Sequence, residues 1–346
     1  MDTTLNRRWP SRFACGSLVL VWCGLLVAAP VFGQARALSQ VASLKEPAQQ
    51  IQIDGNTLYI ATDRTLRSVD VTNPSAPRPA ATFTFGEPIR TFVVSGNLVY
   101  ALIDFFGLRV LDVSNPASPT LRGALELKGG VIASALLDPK TIITANMVAG
   151  VQVLDVLDPA KPALVTSYFT DGYVQDVFAS RPLAYVTDDP TGLHVLDLSK
   201  PGAPAEVSIT GLDLPPPPGG IGLVDFPQLR LALVERPGTK PARVAAVLDR
   251  TSSQLLFYDV SNPGTPVRLS QFKVPARSET LKAHGPRVYV AAGAEGLHVV
   301  DVSDPQKPVS AGGFKTAQPA RDLAVSEPFV FVATGAGGVV ILRHGQ

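Results

Sequence analysis

The chain has 346 residues, of which 46% are apolar and 17% charged, and its net charge is +1. This composition supports a large buried core and excludes an intrinsically disordered chain. The near-neutral charge gives no basic surface for a phosphate backbone, so we expect no nucleic-acid partner.

Residues 1–35 have the order of an export signal. Three arginines precede an uncharged apolar run over residues 14–32, and small residues at 33 and 35 fit a cleavage site. The alternative is an uncleaved membrane anchor, because the run is long enough to cross a bilayer. We expect cleavage, which leaves a mature protein over residues 36–346 without a stable membrane span, in the periplasm, secreted or on the cell surface. Both cysteines lie in this leader, so the mature chain has no disulfide.

One segment recurs along the rest of the chain, and its clearest copy is GLRVLDVSNP at residues 107–116. The aspartate of this segment, or the residue in its place, occurs at Asp70, Asp112, Asp155, Asp197, Asp259, Asp301 and Arg343. The steps between them are 42, 43, 42, 62, 42 and 42 residues. A period near 42 fits a four-stranded propeller blade, so seven copies predict an all-β, seven-bladed β-propeller.

Each period contains four short runs rich in Val, Ile, Leu and Tyr, bounded by Gly, Pro, Asn or Asp. In the second unit these runs span residues 89–95, 98–103, 108–113 and 120–127. The last unit stops after three strands, whereas a spare strand over residues 41–45 precedes the first unit. We predict that one N-terminal strand and three C-terminal strands form the seventh blade and close the ring without exposed sheet edges.

The step of 62 residues locates an insertion at residues 211–228, between an outer strand and the next inner strand. It contains four consecutive prolines, then two glycines, then an apolar end. This composition predicts a stiff segment with a hinge. The insertion is a lid over the channel, a docking arm for a partner, or a tolerated surface insertion.

The repeated segments resemble a known family. LRVLDV at residues 108–113, LHVLDL at 193–198 and LHVVDV at 297–302 look like copies of the LVIVD repeat, and the first and last lead into Ser-Asn-Pro or Ser-Asp-Pro turns. The resemblance implies an extracytoplasmic β-propeller with no family-wide activity, and it supplies no catalytic residues. Ser68, Tyr258 and Arg343 depart from the repeat pattern.

The repeated aspartates precede turns, where a carboxylate can accept backbone N–H groups, so we interpret them as structural. His194 and His298 stand two repeats apart with no third ligand at a metal-like spacing. We therefore predict no metal site, no cofactor and no catalytic residue of a known motif.

By analogy with other propellers, the first strand of each unit lines a central channel and starts at one end of it, which we call the top face. The loops between the second and third strands open on the same face. Polar residues of both signs, with a phenylalanine pair in one loop, are typical there of a binding site. The candidate ligand-binding residues are Arg90, Asp104, Phe105, Phe106, Gln175, Asp176, Asp188, Arg230, Glu279, Arg321 and Asp322.

Three functions fit these observations. The leading hypothesis is an exported, monomeric, non-enzymatic scaffold that binds an extracytoplasmic protein or a small ligand at its top face. The alternative is a metal-dependent propeller hydrolase or lactonase with an axial site built from Asp176, Glu279 and Asp322, although arginines at neighbouring positions would repel a cation. A purely architectural module of the cell envelope would have no pocket.

Overall fold

The computed structural model describes residues 37–115, 117–147, 149–214 and 229–345. The predicted signal peptide (1–35) and most of the predicted insertion (215–228) lie outside the described residues. Within these ranges, no helix is long and apolar enough to cross a membrane.

The described chain folds into seven four-stranded antiparallel sheets, blades 1 to 7. Blade 1 contains β2 (Gln50–Asp54), β3 (Thr57–Thr62), β4 (Thr65–Asp70) and β5 (Arg78–Thr84). Blade 2 contains β6 (Ile89–Ser95), β7 (Leu98–Ile103), β8 (Gly107–Asp112) and β9 (Thr120–Leu125). Blade 3 contains β10 (Val131–Asp138), β11 (Thr141–Asn146), β12 (Gly150–Asp155) and β13 (Ala163–Tyr168). Blade 4 contains β14 (Tyr173–Ser180), β15 (Leu183–Asp189), β16 (Gly192–Asp197) and β17 (Ala205–Thr210).

The remaining blades follow the same order, with the exception of the last. Blade 5 contains β18 (Leu229–Glu235), β19 (Arg243–Asp249), β20 (Gln254–Asp259) and β21 (Val267–Lys273). Blade 6 contains β22 (Thr280–His284), β23 (Arg287–Ala291), β24 (Leu297–Asp301) and β25 (Val309–Phe314). Blade 7 contains β26 (Asp322–Ser326), β27 (Phe329–Ala333), β28 (Val339–His344) and, as its outer strand, β1 (Leu38–Leu44).

The two ends of the described chain meet in blade 7. Strand β1 pairs antiparallel with β28, from Leu44 opposite Val339 to Leu38 opposite His344. The innermost strands of neighbouring blades contact one another all round the ring, including β2 with β26. The seven-bladed all-β fold and the closure by one N-terminal and three C-terminal strands are therefore confirmed.

The blades are held together by apolar side chains on both faces of their middle strands. In β7 every residue from Val99 to Ile103 is buried, because each face of a blade packs on a neighbouring blade. Tyr185 of blade 4 and Tyr258 of blade 5 share one such inter-blade cluster. This explains why both the odd and the even positions of these strands are apolar in the sequence.

A turn joins the third and fourth strands at the end of the ring opposite the top face, and we call these the bottom turns. Each of the six repeated aspartates accepts a hydrogen bond there from the backbone N–H two residues on, at 2.7–2.9 Å. Hydrogen bonds from Thr72 and Ser114 hold the pKa of Asp70 and Asp112 below the usual range. The structural interpretation of these aspartates is confirmed.

The start of the third strand carries a second repeated feature. A glycine with φ between 72° and 120° stands at or just before it in five blades, namely Gly107, Gly150, Gly192, Gly296 and Gly338. A Cβ atom at these positions would lie 1.9–2.3 Å from a carbonyl oxygen of the outer strand. Only glycine fits both the positive φ and the close approach of the outer strand.

Candidate functional site

The inner strands enclose a central cavity of about 870 Å³. Its upper end lies where the inner strands start and where the loops between second and third strands open. The backbone N–H of Asp63 in such a loop donates to the Gln49 side chain at 3.3 Å, just before β2. In blade 5, Arg250 in the equivalent loop forms an ion pair with Glu279, just before β22. The loops and the strand starts therefore share one face, as the sequence predicts.

Six of the eleven candidate residues line this cavity: Arg90, Asp176, Arg230, Glu279, Arg321 and Asp322. A seventh charged residue, Lys282, also lines it and was missed by the sequence analysis. Lys282 is two residues beyond Thr280 in β22, so both side chains lie on the same face of the strand. That alternation is the signal that could have identified it.

Glu279 is the centre of a short ion-pair chain at the mouth of the cavity. Its carboxylate contacts Arg250 on one side and the Arg321 guanidinium at 3.1 Å on the other. Arg250 also donates to the Ser278 carbonyl at 3.2 Å. One carboxylate is therefore shared by two guanidinium groups.

Asp176 and Asp322 connect neighbouring blades through their carboxylates. Asp176 accepts the Leu231 N–H of the next inner strand at 2.9 Å, and Asp322 accepts the Ile51 N–H across the ring closure at 2.9 Å. The second oxygen of each carboxylate accepts the N–H of the following residue in its own strand. Both oxygens of both side chains are therefore engaged by the backbone.

The two channel carboxylates are half-buried between the surrounding strands. This burial raises the pKa of Asp176 and of Asp322, and the backbone hydrogen bonds and the nearby Arg230 and Lys282 oppose the shift. Arg230 and Lys282 each act on both carboxylates. Four charged groups from blades 4, 5, 6 and 7 therefore converge on one part of the channel.

Gln52 makes the equivalent connection between blades 1 and 2. Its amide donates to the Phe92 carbonyl at 2.5 Å and accepts from the Val94 N–H at 3.2 Å. Gln52 is not among the residues predicted for the site from the sequence. Side chains on the channel-facing side of the inner strands thus act as polar links where the blades are not joined by a β-ladder.

Three channel cations form no close ion pair with the described residues. Within the described parts of the chain, no carboxylate lies within 4.0 Å of Arg90, Arg230 or Lys282 in an ion pair. Among the described residues, Arg230 donates to the carbonyls of Gln175 and Leu229, at 3.4 and 3.3 Å. These cations are available to an anion inside the channel.

The wall formed by blade 3 has a different character. Blade 3 contributes Ile132, Ala133, Ala135 and Leu136 to the cavity lining, and Ser134 is its one polar side chain there. Blade 4 adds Phe178 beside them. In a ring of seven, blade 3 lies across the channel from blades 6 and 7, which carry Lys282, Arg321 and Asp322. The lining from blade 3 is therefore apolar, whereas blades 2, 4, 5, 6 and 7 each contribute charged side chains.

The other five candidate residues do not line the cavity. Gln175 is buried and its side-chain oxygen accepts the Leu229 N–H at 2.8 Å, whereas Asp188 is buried and accepts the Thr191 hydroxyl at 2.6 Å. Asp104, Phe105 and Phe106 lie in the loop between β7 and β8. Phe105 is 71% exposed and Phe106 is 45% exposed. A binding role for these five residues stays a prediction.

His194 lies in a hydrogen-bond network between blades 3 and 4. Its Nε2 is 2.6 Å from the Thr191 hydroxyl and its Nδ1 is 2.9 Å from Glu206, which also accepts the Tyr168 hydroxyl at 2.8 Å. Burial and this hydrogen bond raise the pKa of Tyr168 to about 12. Both ring nitrogens are engaged, and the described residues contain no group of three or more His, Cys, Asp or Glu placed to hold a metal ion.

Comparison with known proteins supports the repeat assignment. The LVIVD repeat model matches residues 47–84, 90–126, 171–210, 278–316 and 318–342, which fall in blades 1, 2, 4, 6 and 7. No curated protein matches the chain. The crystal structure of the computationally designed Ika8 protein is similar, with a TM-score of 0.61 and 11% sequence identity, over 88% of this chain and 98% of that one. That similarity concerns the fold alone. Because the repeat matches cover more than half of its length, the chain belongs to the LVIVD repeat family.

Proposed function

We propose that the protein is a non-enzymatic, monomeric propeller that binds a small ligand in its central channel through the top face. One observation carries the proposal: charged side chains from several blades converge in a cavity of about 870 Å³ that also has an apolar wall. Small-molecule sites commonly combine an apolar lining with a few polar groups in a cavity of this size. A purely architectural module would have no use for this arrangement.

The metal-dependent alternative has weaker support. Asp176, Glu279 and Asp322 are the carboxylates that such a site would use. The first and last already accept two backbone N–H groups each, and Glu279 is paired with two arginines. Arg230 and Lys282 beside them make a divalent cation electrostatically unfavourable.

Export is the second part of the proposal, and it rests on the sequence of residues 1–35. The positive residues, the apolar run and the small residues at its end fit a cleaved signal peptide. Cell fractionation combined with intact-mass measurement tests this. A mature protein that begins near residue 36 outside the cytoplasm supports export, whereas a full-length protein in the membrane fraction supports the uncleaved anchor.

The channel is tested with a variant that fills it. Ser134 faces the cavity from the apolar wall, and its hydroxyl makes one long hydrogen bond, to Thr91 at 3.4 Å. Ser134→Trp should obstruct the channel. Ser310→Trp, on the exposed outer strand β25, is the matched control that adds the same ring outside the channel. Each protein is incubated with a small-molecule extract of the source cells, washed and analysed by mass spectrometry.

We expect at least one compound to be retained by the wild type and by Ser310→Trp, and to be lost from Ser134→Trp. Thermal melts of all three proteins show whether the ring is folded. If folded Ser134→Trp retains the same compounds as the wild type, or if the wild type retains none, binding in the channel is wrong.

A further inference from the structure

Among the described residues that line the channel there are four cations, Arg90, Arg230, Lys282 and Arg321, and three carboxylates. Glu279 is shared by Arg250 and Arg321, and Asp176 and Asp322 direct their oxygens to backbone N–H groups. Arg230 and Lys282 sit between the last two carboxylates without a close ion pair among the described residues. A cation that is partly withdrawn from bulk water gains most from an anionic partner that replaces its lost hydration.

The wall formed by blade 3, opposite these cations, favours an apolar group on the ligand. Ala135 and Leu136 of blade 3, which are partly exposed, present apolar surface across the channel from Lys282, beside the buried Ile132 and Ala133. An inorganic anion would leave this surface in contact with water. A ligand with an apolar body would cover it, and burying apolar area contributes about 25 cal/mol per Å².

We propose that the ligand is a small organic anion whose anionic group lies against Arg230 and Lys282 and whose apolar body lies against blade 3. This inference rests on the proposed function, because it names the class of ligand that the channel binds. The cavity is large enough for one ring system or a short alkyl chain together with the charged group. Arg90 and Arg321 at the mouth attract the anion on its way in.

The ligand class is tested by calorimetry with probes that differ in one property. The anionic probes are 2-naphthalenesulfonate and 1-hexanesulfonate, which combine a permanent negative charge with an aromatic or an aliphatic body. The comparison probes are 2-naphthalenesulfonamide, which keeps the ring without the charge, 2-naphthylmethylammonium, which reverses the charge, and sulfate, which lacks the apolar body. We expect at least one sulfonate to bind with one-to-one stoichiometry and about tenfold or more tighter than all three comparison probes.

Two substitutions remove the proposed anchors without shortening the side chains to alanine. Arg230→Gln and Lys282→Gln should each weaken sulfonate binding by about tenfold, and the double variant should weaken it further. Lys307→Gln is the matched control, because it removes one positive charge from an exposed bottom turn. It should leave the affinity unchanged. Lys282 is exposed to the channel, so its replacement should leave the thermal melt close to that of the wild type.

The outcomes separate this inference from the proposed function. Failure of both sulfonates to bind, equal affinity for the sulfonamide, or unchanged binding by folded Arg230→Gln and Lys282→Gln overturns the anionic ligand. If neutral or cationic compounds bind to the wild type and are lost from Ser134→Trp, the channel is a binding site of another specificity. If Ser134→Trp binds the sulfonates as well as the wild type does, the channel itself is not the site and both proposals are wrong.

Discussion

The aspartates of the bottom turns and those of the channel are the same side chain in opposite environments. Asp112 accepts an exposed N–H from Ser114, and hydrogen bonding lowers its pKa. Asp322 accepts the N–H of the fully buried Ile51, and burial raises its pKa. Hydrogen bonds dominate the shift at the turn carboxylate, and desolvation by the surrounding strands dominates it at the channel carboxylate.

The two sets of aspartates also differ in how they recur. The turn aspartates occupy the same position in six blades, because every blade has to make the same turn. Asp176 and Asp322 share a channel position that is occupied in other blades by Gln50, Thr91 and Thr280. A residue that recurs in every repeat serves the fold, whereas a residue that differs between repeats is free to serve a site.

The largest expected effect is at a recurring glycine. In Gly338→Ala the new Cβ would lie 1.9 Å from the Leu44 carbonyl oxygen, at a backbone with φ of 83°. The clash would displace β1, the strand that closes the ring. We expect the free energy of unfolding in urea to fall by roughly 3 kcal/mol, which combines backbone strain with overpacking.

Gly86→Ala is the matched control, since an added Cβ there meets no atom within 4 Å. Its free energy of unfolding should stay within about 0.5 kcal/mol of the wild-type value. Equal effects of the two substitutions would show that the glycine at the third strand is not required for closure.

The next largest effect is expected in the channel. Asp322→Ala removes the acceptor for the N–H of Ile51, a residue with 0% exposure. A buried donor left without a partner costs about 2 kcal/mol. Asp301→Ala at a bottom turn leaves the exposed Ser303 N–H, which water can reach, so it should cost less than about 1 kcal/mol.

Urea unfolding of both variants measures this difference directly. A loss at Asp301 that equals or exceeds the loss at Asp322 would contradict the contrast between exposed and shielded carboxylates. It would also mean that the blades are not held together through their channel side chains.

The fold can be predicted from the sequence because each repeat has the same pattern of strands and turns. The aspartate spacing of about 42 residues determined the number of blades, and the three-strand last unit predicted the closure. The turn hydrogen bonds follow from one residue type before one kind of turn. The only contacts between distant residues that these predictions require are those that follow from the repeat.

The channel was harder to predict because bulges disturb the alternation of side chains at the starts of the inner strands. The register shifts between Val174 and Asp176 in blade 4, and again at the start of β6 in blade 2. Gln175 therefore points into the inter-blade contact, whereas the adjacent Asp176 lines the channel. Positions counted from the strand start placed both Gln175 and Asp176 in the predicted site. They did not include Lys282.

The smallest expected effect is a pH dependence that separates the two sets of aspartates. An aspartate in the unfolded chain titrates near a pKa of about 3.9. With raised pKa values, Asp176 and Asp322 bind more protons in the folded state just above that pH, so their contribution to stability falls as the pH rises from about 4 towards neutrality. Asp70, Asp112 and Asp197 have lowered pKa values, so their contribution is lost only as the pH falls below about 4.

The double variant Asp176→Asn and Asp322→Asn isolates the channel part of this dependence. An asparagine cannot titrate, so we expect the melting temperature of the variant to decline less steeply than that of the wild type between pH 4 and 8. The variant should also melt lower at every pH, because the amide nitrogen cannot accept the second backbone N–H, and only the slopes are therefore compared. Parallel slopes would mean that hydrogen bonds and the nearby Arg230 and Lys282 outweigh burial at both carboxylates. In that case the channel aspartates are charged to the same extent as those of the bottom turns, and the excess positive charge that favours an anionic ligand would be smaller.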